Sequence, residues 1–306
     1  MSWQPIVVGV DASPEAAGAA AFAVGMSQRA GTSCHLVHAA SEVRGSEGAG
    51  EWVDELWRVL IDQARATITA PLTGVVPREL LDKMTVRLGR APLVLKQAVR
   101  EVGAELVVLG GKHHSALGRW LGGSTSLNVA RTMDVPILVV AGAPVVIRRV
   151  LVAVDGSAAS RPTLDAADRY AALFGAELRA LSVIEPLPVI PEMAAPDATE
   201  YYRMLEELLQ RDVWPLIRTP GAEKVVRYGM AVATVLREAT EWRADLLVVG
   251  SHGKGWAERA LVGSVTEQLL NHLPLSLVVV PVGAAAVVEE DHAHEAESPQ
   301  HAAAIP

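Results

Sequence analysis

The chain states one pattern twice, and that duplication limits its fold more than any other feature. The stretch Gly-Ala-Glu-Leu-Val-Val-Leu-Gly at 103–110 returns as Arg-Ala-Asp-Leu-Leu-Val-Val-Gly at 243–250. Each follows a matching lead-in, Arg87-Leu-Gly-Arg-Ala in one copy and Arg227-Tyr-Gly-Met-Ala in the other. The openings pair as well, Val8-Gly-Val-Asp-Ala-Ser with Val152-Ala-Val-Asp-Gly-Ser. Gly110 and Gly250 lie 140 residues apart, Asp11 and Asp155 144. A period this long is a domain duplicated in tandem, not the short unit of a solenoid. With 306 residues, each copy is large enough for its own core. The pattern predicts domains at 1–143 and 147–283, followed by a tail at 284–306.

Short β-branched runs alternate with helical patterns in both copies. Strands are predicted at about 5–10, 34–40, 83–88, 105–110 and 136–141, then at about 149–154, 177–184, 223–228, 245–250 and 275–281. Runs such as Leu106-Val-Val-Leu109 and Leu246-Leu-Val-Val249 show no polar alternation, which predicts strands buried on both faces. That is the signature of a parallel sheet covered by helices. The expected fold class is α/β: two tandem doubly wound domains, each with five strands, four helices and helices on both faces. Ser13-Pro14-Glu15 should open the first helix, with serine as cap and proline in the first turn. The linker Gly142-Ala-Pro-Val-Val-Ile-Arg-Arg149 is short, so the halves should pack together. Segments 41–50 and 185–198 read as the loosest internal loops.

Half the residues are apolar and a fifth are charged, a globular composition. The single cysteine, Cys34, excludes an intrachain disulfide and fits a reducing compartment; its place at a strand start predicts burial. After Gly283 come Glu289, Glu290, Asp291, Glu295 and Glu297 with no Lys or Arg, accounting for most of the formal charge of −8. This acidic, aperiodic tail is expected to be disordered, and its His292, His294 and His301 to be solvated rather than metal-bound. No basic patch argues for nucleic acid as a partner. No secretory leader is evident, and apolar runs such as Val135–Ala143 are too short to span a bilayer. The expectation is a cytoplasmic protein with no membrane partner.

The chemistry is concentrated after the fourth strand of the second copy. Gly250-Ser-His-Gly253 leaves the strand, and after nine further residues Gly263-Ser264-Val265-Thr266-Glu267 enters a helix. Glycines allow close approach of backbone amides to an anion and positive φ. Ser264 and Thr266, with the free amides of the helix start, are expected to face one anion, aided by the helix dipole. In a doubly wound sheet, ligands sit beyond the carboxyl ends of strands where the winding reverses. Asp155, just past the first strand of this copy, would face the same crevice and suits ribose hydroxyls, leaving phosphates to the glycine loop.

The spacing Gly250-x2-Gly253-x9-Gly263-Ser264, the preceding Ala-Asp-Leu-Leu-Val-Val and the early Val-Asp-Gly-Ser together resemble the ATP-binding class of universal stress proteins, over essentially all of 1–283. The resemblance implies a five-stranded parallel sheet of order 3-2-1-4-5 in each domain, with ATP, with or without Mg2+, at the junction of strands one and four. By position, Asp155 would contact adenosine with Ala153 beneath it, and Val183 would meet the adenine edge through its backbone. Gly250, Gly253, Gly263, Ser264 and Val265 would hold ribose and phosphates. In the first domain, Gly9, Asp11, Ala39, Gly110, Gly123, Ser124 and Thr125 occupy the matching places. The family often dimerises through its last strands, so Val135–Val140 and Leu275–Val280 are candidates for pairing the two halves with each other or for a homodimer.

The first loop departs from the pattern: His113 stands where the second glycine belongs. If that position demands φ > 0, a side chain there costs on the order of 1 kcal/mol, while Lys112, His113, His114 and Arg119 would add donors near a triphosphate. Plainer readings stand beside these. Simple helix caps are the lesser reading of Asp11 and Asp155, and a surface loop residue that of His252. No general base is marked beside the phosphate loop, and neither a Gly-Lys-Ser/Thr phosphate loop nor a Ser-His-Asp pattern occurs. The expected role is a stress-response protein with nucleotide as a structural or regulatory ligand, not an enzyme. A slow ATPase or nucleotidyl-transfer catalyst, and a nucleotide-free scaffold, are the alternatives.

Overall fold

A computed structural model of the chain describes residues 2–40, 52–111, 125–142, 146–186, 198–253, 262–272 and 275–282. The first half runs β1 (Ile6–Gly9), α1 (Pro14–Ala30), β2 (Cys34–Ala40), α2 (Trp52–Leu72), α3 (Arg78–Asp82), β3 (Thr85–Leu88), α4 (Ala91–Val102), β4 (Leu106–Gly111), α5 (Thr125–Ala130) and β5 (Ile137–Ala141). The second runs β6 (Arg149–Ala153), α6 (Ser160–Phe174), β7 (Glu177–Ile184), α7 (Ala198–Leu208), β8 (Glu223–Tyr228), α8 (Ala231–Glu241), β9 (Leu246–Gly250), α9 (Ser264–His272) and β10 (Ser276–Val280). Every predicted strand is present. The short α3 is an addition to the four helices expected in the first half; extended Pro77 precedes it and starts the turn. After α7 the chain passes through a π turn at Leu209–Val213 and a 3-10 turn at Trp214–Leu216. The expected linker centre, most of both loose loops and the acidic tail lie outside the described residues.

Within each half the strand order is 3-2-1-4-5, with all pairings parallel. The halves do not form two separate sheets. Strands β5 and β10 pair antiparallel, with Val139 opposite Leu277 and Leu138 opposite Val278, and join the halves into one ten-stranded sheet. Every residue of both strands is buried, so an open edge here would expose apolar backbone ready to pair. The last-strand edges expected to serve either partner are thus consumed within the chain. Ser276 adds a hydroxyl that accepts from the Ala141 amide at 3.2 Å.

Both faces are covered, as a parallel sheet requires. One core cluster gathers α1, α2 and α6 with Ile6, Val8, Val150 and Val278; the other gathers α4, α5, α8 and α9 with Val7, Val107, Leu247 and Leu277. Each cluster runs through both halves. Across the seam, Arg169 pairs with Glu105 at 2.7 Å and lies 4.1 Å from the Trp3 ring centroid, and Arg131 of α5 meets Glu267 of α9 at 3.2 Å. Cys34 is buried as expected, and burial pushes its thiol up to about 12.

Candidate functional site

Because β6 lies between β7 and β9, with Ala153 beside Leu181 and Val249, the segments after these three strands open into one cleft. Its volume is about 360 Å³, within the range of small-molecule sites. Ala153, Asp155, Val183, Gly250, Gly253, Gly263, Ser264 and Val265 all line it. These are the second-half residues singled out from sequence, drawn together from four separate stretches of chain.

The two loops lean on each other. Asp155 Oδ1 accepts from the Ser157 amide at 3.1 Å and from its hydroxyl at 2.7 Å. The other carboxylate oxygen points across the crevice: a Cβ placed on Gly253 would lie 2.5 Å from Asp155 Oδ2. Gly253 is therefore a glycine for want of room. It has no positive φ, and neither do Gly250 and Gly263. The backbone strain expected for a side chain at this loop position thus has no counterpart here, and the argument for strain at His113 loses its basis. Gly250 packs under α6, where an added Cβ would sit 3.1 Å from Ala159 Cβ and from Thr163 Oγ1. Gly263 is roomier; a Cβ there makes ordinary contact at 3.4 Å with the Ser251 carbonyl.

At the start of α9 the Thr266 hydroxyl donates to the Gly250 carbonyl at 2.7 Å, fastening helix to strand, and Thr266 also lines the cleft. Ser264 is exposed at the helix start and lines the cleft. The Gly263 amide donates to Ser251 O at 2.8 Å, and the Gly263 carbonyl accepts from Glu267 N at 2.9 Å, so the loop is pinned on both sides of the helix start.

His252 is half-buried rather than fully exposed. It lines the cleft, its Nδ1 lies 2.9 Å from Ser251 Oγ, and its buried Nε2 has no hydrogen-bond partner among the described residues. Burial pulls its pKa below the ordinary histidine value, favouring the neutral ring. Sequence reasoning also passed over Tyr201, Leu205 and Leu208 of α7, which form another wall of the same cleft. Their helical spacing carries no signal that separates a cleft wall from a core face.

In the first half, β1 lies between β2 and β4, which places Gly9, Asp11, Ala39 and Gly110 in the corresponding arrangement. His113, Gly123 and Ser124 lie outside the described residues; Thr125, exposed, opens α5. Neither aspartate is the helix cap that a plainer reading allowed. Ser13 caps α1, accepting from Ala16 N at 3.2 Å, and Asp11 holds that serine through its hydroxyl and its amide. In the second half Gly156 turns through φ 79°, a left-handed conformation that Ala12 does not take, and α6 begins only at Ser160 with no side-chain cap. The earlier start of α1 brings its backbone down on β4. A Cβ on Gly110 would meet the Glu15 carbonyl carbon at 2.5 Å and Ala16 N at 2.6 Å.

A parallel sheet with its first and fourth strands adjacent, an aspartate after one and a glycine loop entering a helix after the other, is a doubly wound α/β protein with a crevice at the switch point, built here in tandem. The model of the universal stress protein family matches residues 2–141 and again 147–281. The chain belongs to that family. A universal stress protein of Mycolicibacterium smegmatis is 28% identical over 291 residues, covering 90% of this chain and 96% of the relative. One of Mycobacterium tuberculosis (strain ATCC 25618 / H37Rv) is 30% identical over 184 residues, 58% of this chain and 61% of that protein. The crystal structure of a universal stress protein from Archaeoglobus fulgidus DSM 4304 matches with a TM-score of 0.60 at 17% identity, covering 91% of this chain and 98% of that one. At that identity the likeness is one of fold.

Proposed function

We propose that the second half binds an adenine nucleotide, ATP foremost, as a structural or regulatory ligand in the stress response of the cytoplasm. The observation that carries this reading is the convergence of Asp155, the Gly250–Gly253 loop and the Gly263–Val265 helix start on one cleft. An anion at a helix N-terminus gains from free amides and the helix dipole, and a carboxylate opposite suits ribose hydroxyls. Among the described residues no helix is long and apolar enough to cross a membrane, and no group of three or more His, Cys, Asp or Glu is placed to hold a metal. A magnesium ion, where present, is proposed to enter on the nucleotide's phosphates. The first half, with Gly9, Asp11, Ala39 and Gly110 in corresponding places, is proposed as a second nucleotide site.

Titration calorimetry of the full chain with ATP tests the reading. The expected result is saturable binding at micromolar to millimolar ATP. Gly263→Val should remove the second site's contribution; a first carbon fits there at ordinary contact distance, and a melting scan of the ligand-free variant checks that the fold survives the two further methyl groups. Absence of heat and of any ligand-induced melting shift at millimolar ATP would contradict the proposal.

A further inference from the structure

Along α7, Tyr201, Leu205 and Leu208 recur at helical spacing and all three line the second cleft. Leu208 is rooted in the core cluster that includes α6. Tyr201 and Leu205 belong to neither core cluster, and both are half-buried. Among the described residues, these two side chains stand in a stripe along the cleft and outside both core clusters. The Tyr201 ring is positioned by Tyr202, with centroids 5.6 Å apart and planes tilted by 53°, and Tyr202 in turn packs edge-on against Tyr228.

The topology places this wall at one end of the cleft. Strand β7 flanks β6 on one side and β9 on the other, so the glycine loop and α9 lie on the β9 side. The α7 wall lies toward β7 and β8, where Tyr202 meets Tyr228. Facing the cleft at the strand ends are Ala153 and Val183, which pack on the opposite core cluster. The cleft is therefore polar at the loop and has apolar side chains on two walls away from it. A nucleotide has the same division: charged phosphates at one end and a flat base at the other. Aromatic side chains bind bases by stacking on a π face.

Resting on the nucleotide reading, we infer that Tyr201, supported by Leu205, stacks on the base of the nucleotide in the second cleft and makes affinity there depend on the base. The test is calorimetry on the full chain and on Tyr201→Ala and Tyr201→Phe, with ATP and inorganic tripolyphosphate as probes. ATP affinity should fall tenfold or more in Tyr201→Ala, about 1.4 kcal/mol, and stay within about twofold in Tyr201→Phe. Tripolyphosphate affinity should be the same in all three. Unchanged ATP affinity in Tyr201→Ala overturns the inference, and so does an equal loss for ATP and tripolyphosphate, which marks a structural effect. Wild-type protein that binds neither probe removes the nucleotide reading itself. Should Tyr201→Ala fail to fold, photolabelling of the wild type with 8-azido-ATP and peptide mapping decides: label within 201–209 supports the assignment, and label confined to other segments overturns it.

Discussion

Replacing Gly253 with alanine should weaken nucleotide binding through Asp155. The new Cβ would lie 2.5 Å from Asp155 Oδ2, closer than packed carbon and oxygen tolerate, so the carboxylate must turn away. Turning breaks its bonds to the Ser157 amide and hydroxyl at 3.1 and 2.7 Å. The displaced atom is the end of a flexible side chain and water can replace the bonds lost at this half-buried site, so stability should fall by no more than about 1.5 kcal/mol. The same movement withdraws the carboxylate from the ribose, which at about 1.5–3 kcal/mol weakens ATP roughly ten- to a hundredfold. A double-mutant cycle isolates the cause. In an Asp155→Ala background the clash is gone, so adding Gly253→Ala should change affinity by no more than about twofold. Calorimetry of the four proteins measures this. An equally large loss from Gly253→Ala in both backgrounds would refute the reasoning and mean that the methyl group blocks the ligand directly.

Gly110→Ala should destabilise the first half by about 1–3 kcal/mol or more, because its Cβ would meet the backbone of Glu15 and Ala16; a melting temperature equal to wild type would contradict this. Glu238 is 3% exposed and holds Arg179 at 2.7 Å and Arg227 at 2.8 Å. Arg179 keeps Glu223 as a partner and the Arg227 side chain is 44% exposed, so Glu238→Ala should cost about 1–3 kcal/mol in urea unfolding, and a loss below about 0.5 kcal/mol would contradict a structural role for the pair. The His252 ring should titrate below the ordinary 6.5. The unfolded chain then binds the proton first, so stability from this residue is complete above about 6.5 and is lost as pH falls through the lower folded value. An NMR titration with its midpoint at or above 6.5 would contradict the burial argument.

Strand positions were legible because buried parallel strands leave uninterrupted β-branched runs, as at Leu106–Gly111 and Leu246–Gly250. The junction at β5 and β10 was legible only as two apolar edges. Nothing in either run says whether an edge pairs within its own chain or with another copy; the three-dimensional path of the linker decides that. At the site, Asp155 and the glycines were legible from spacing, but the reason for Gly253 was not. Its neighbour is a carboxylate from a distant strand end, a contact that spacing along the chain cannot reveal. Thr266 read as an anion ligand because hydroxyls at a helix start commonly face outward, and its hydrogen bond to a strand-end carbonyl was not legible from spacing. The π turn at Leu209–Val213 follows a run with ordinary helical periodicity, and only tertiary packing discloses it.

The central claim is that ATP occupies the second cleft with its phosphates at the start of α9. Amide hydrogen exchange of the full chain, followed by mass spectrometry with and without saturating ATP, locates the ligand directly. The account predicts slowed exchange in peptides spanning 153–156, 246–253 and 263–267. Binding of ATP with exchange in those three segments unchanged would contradict it.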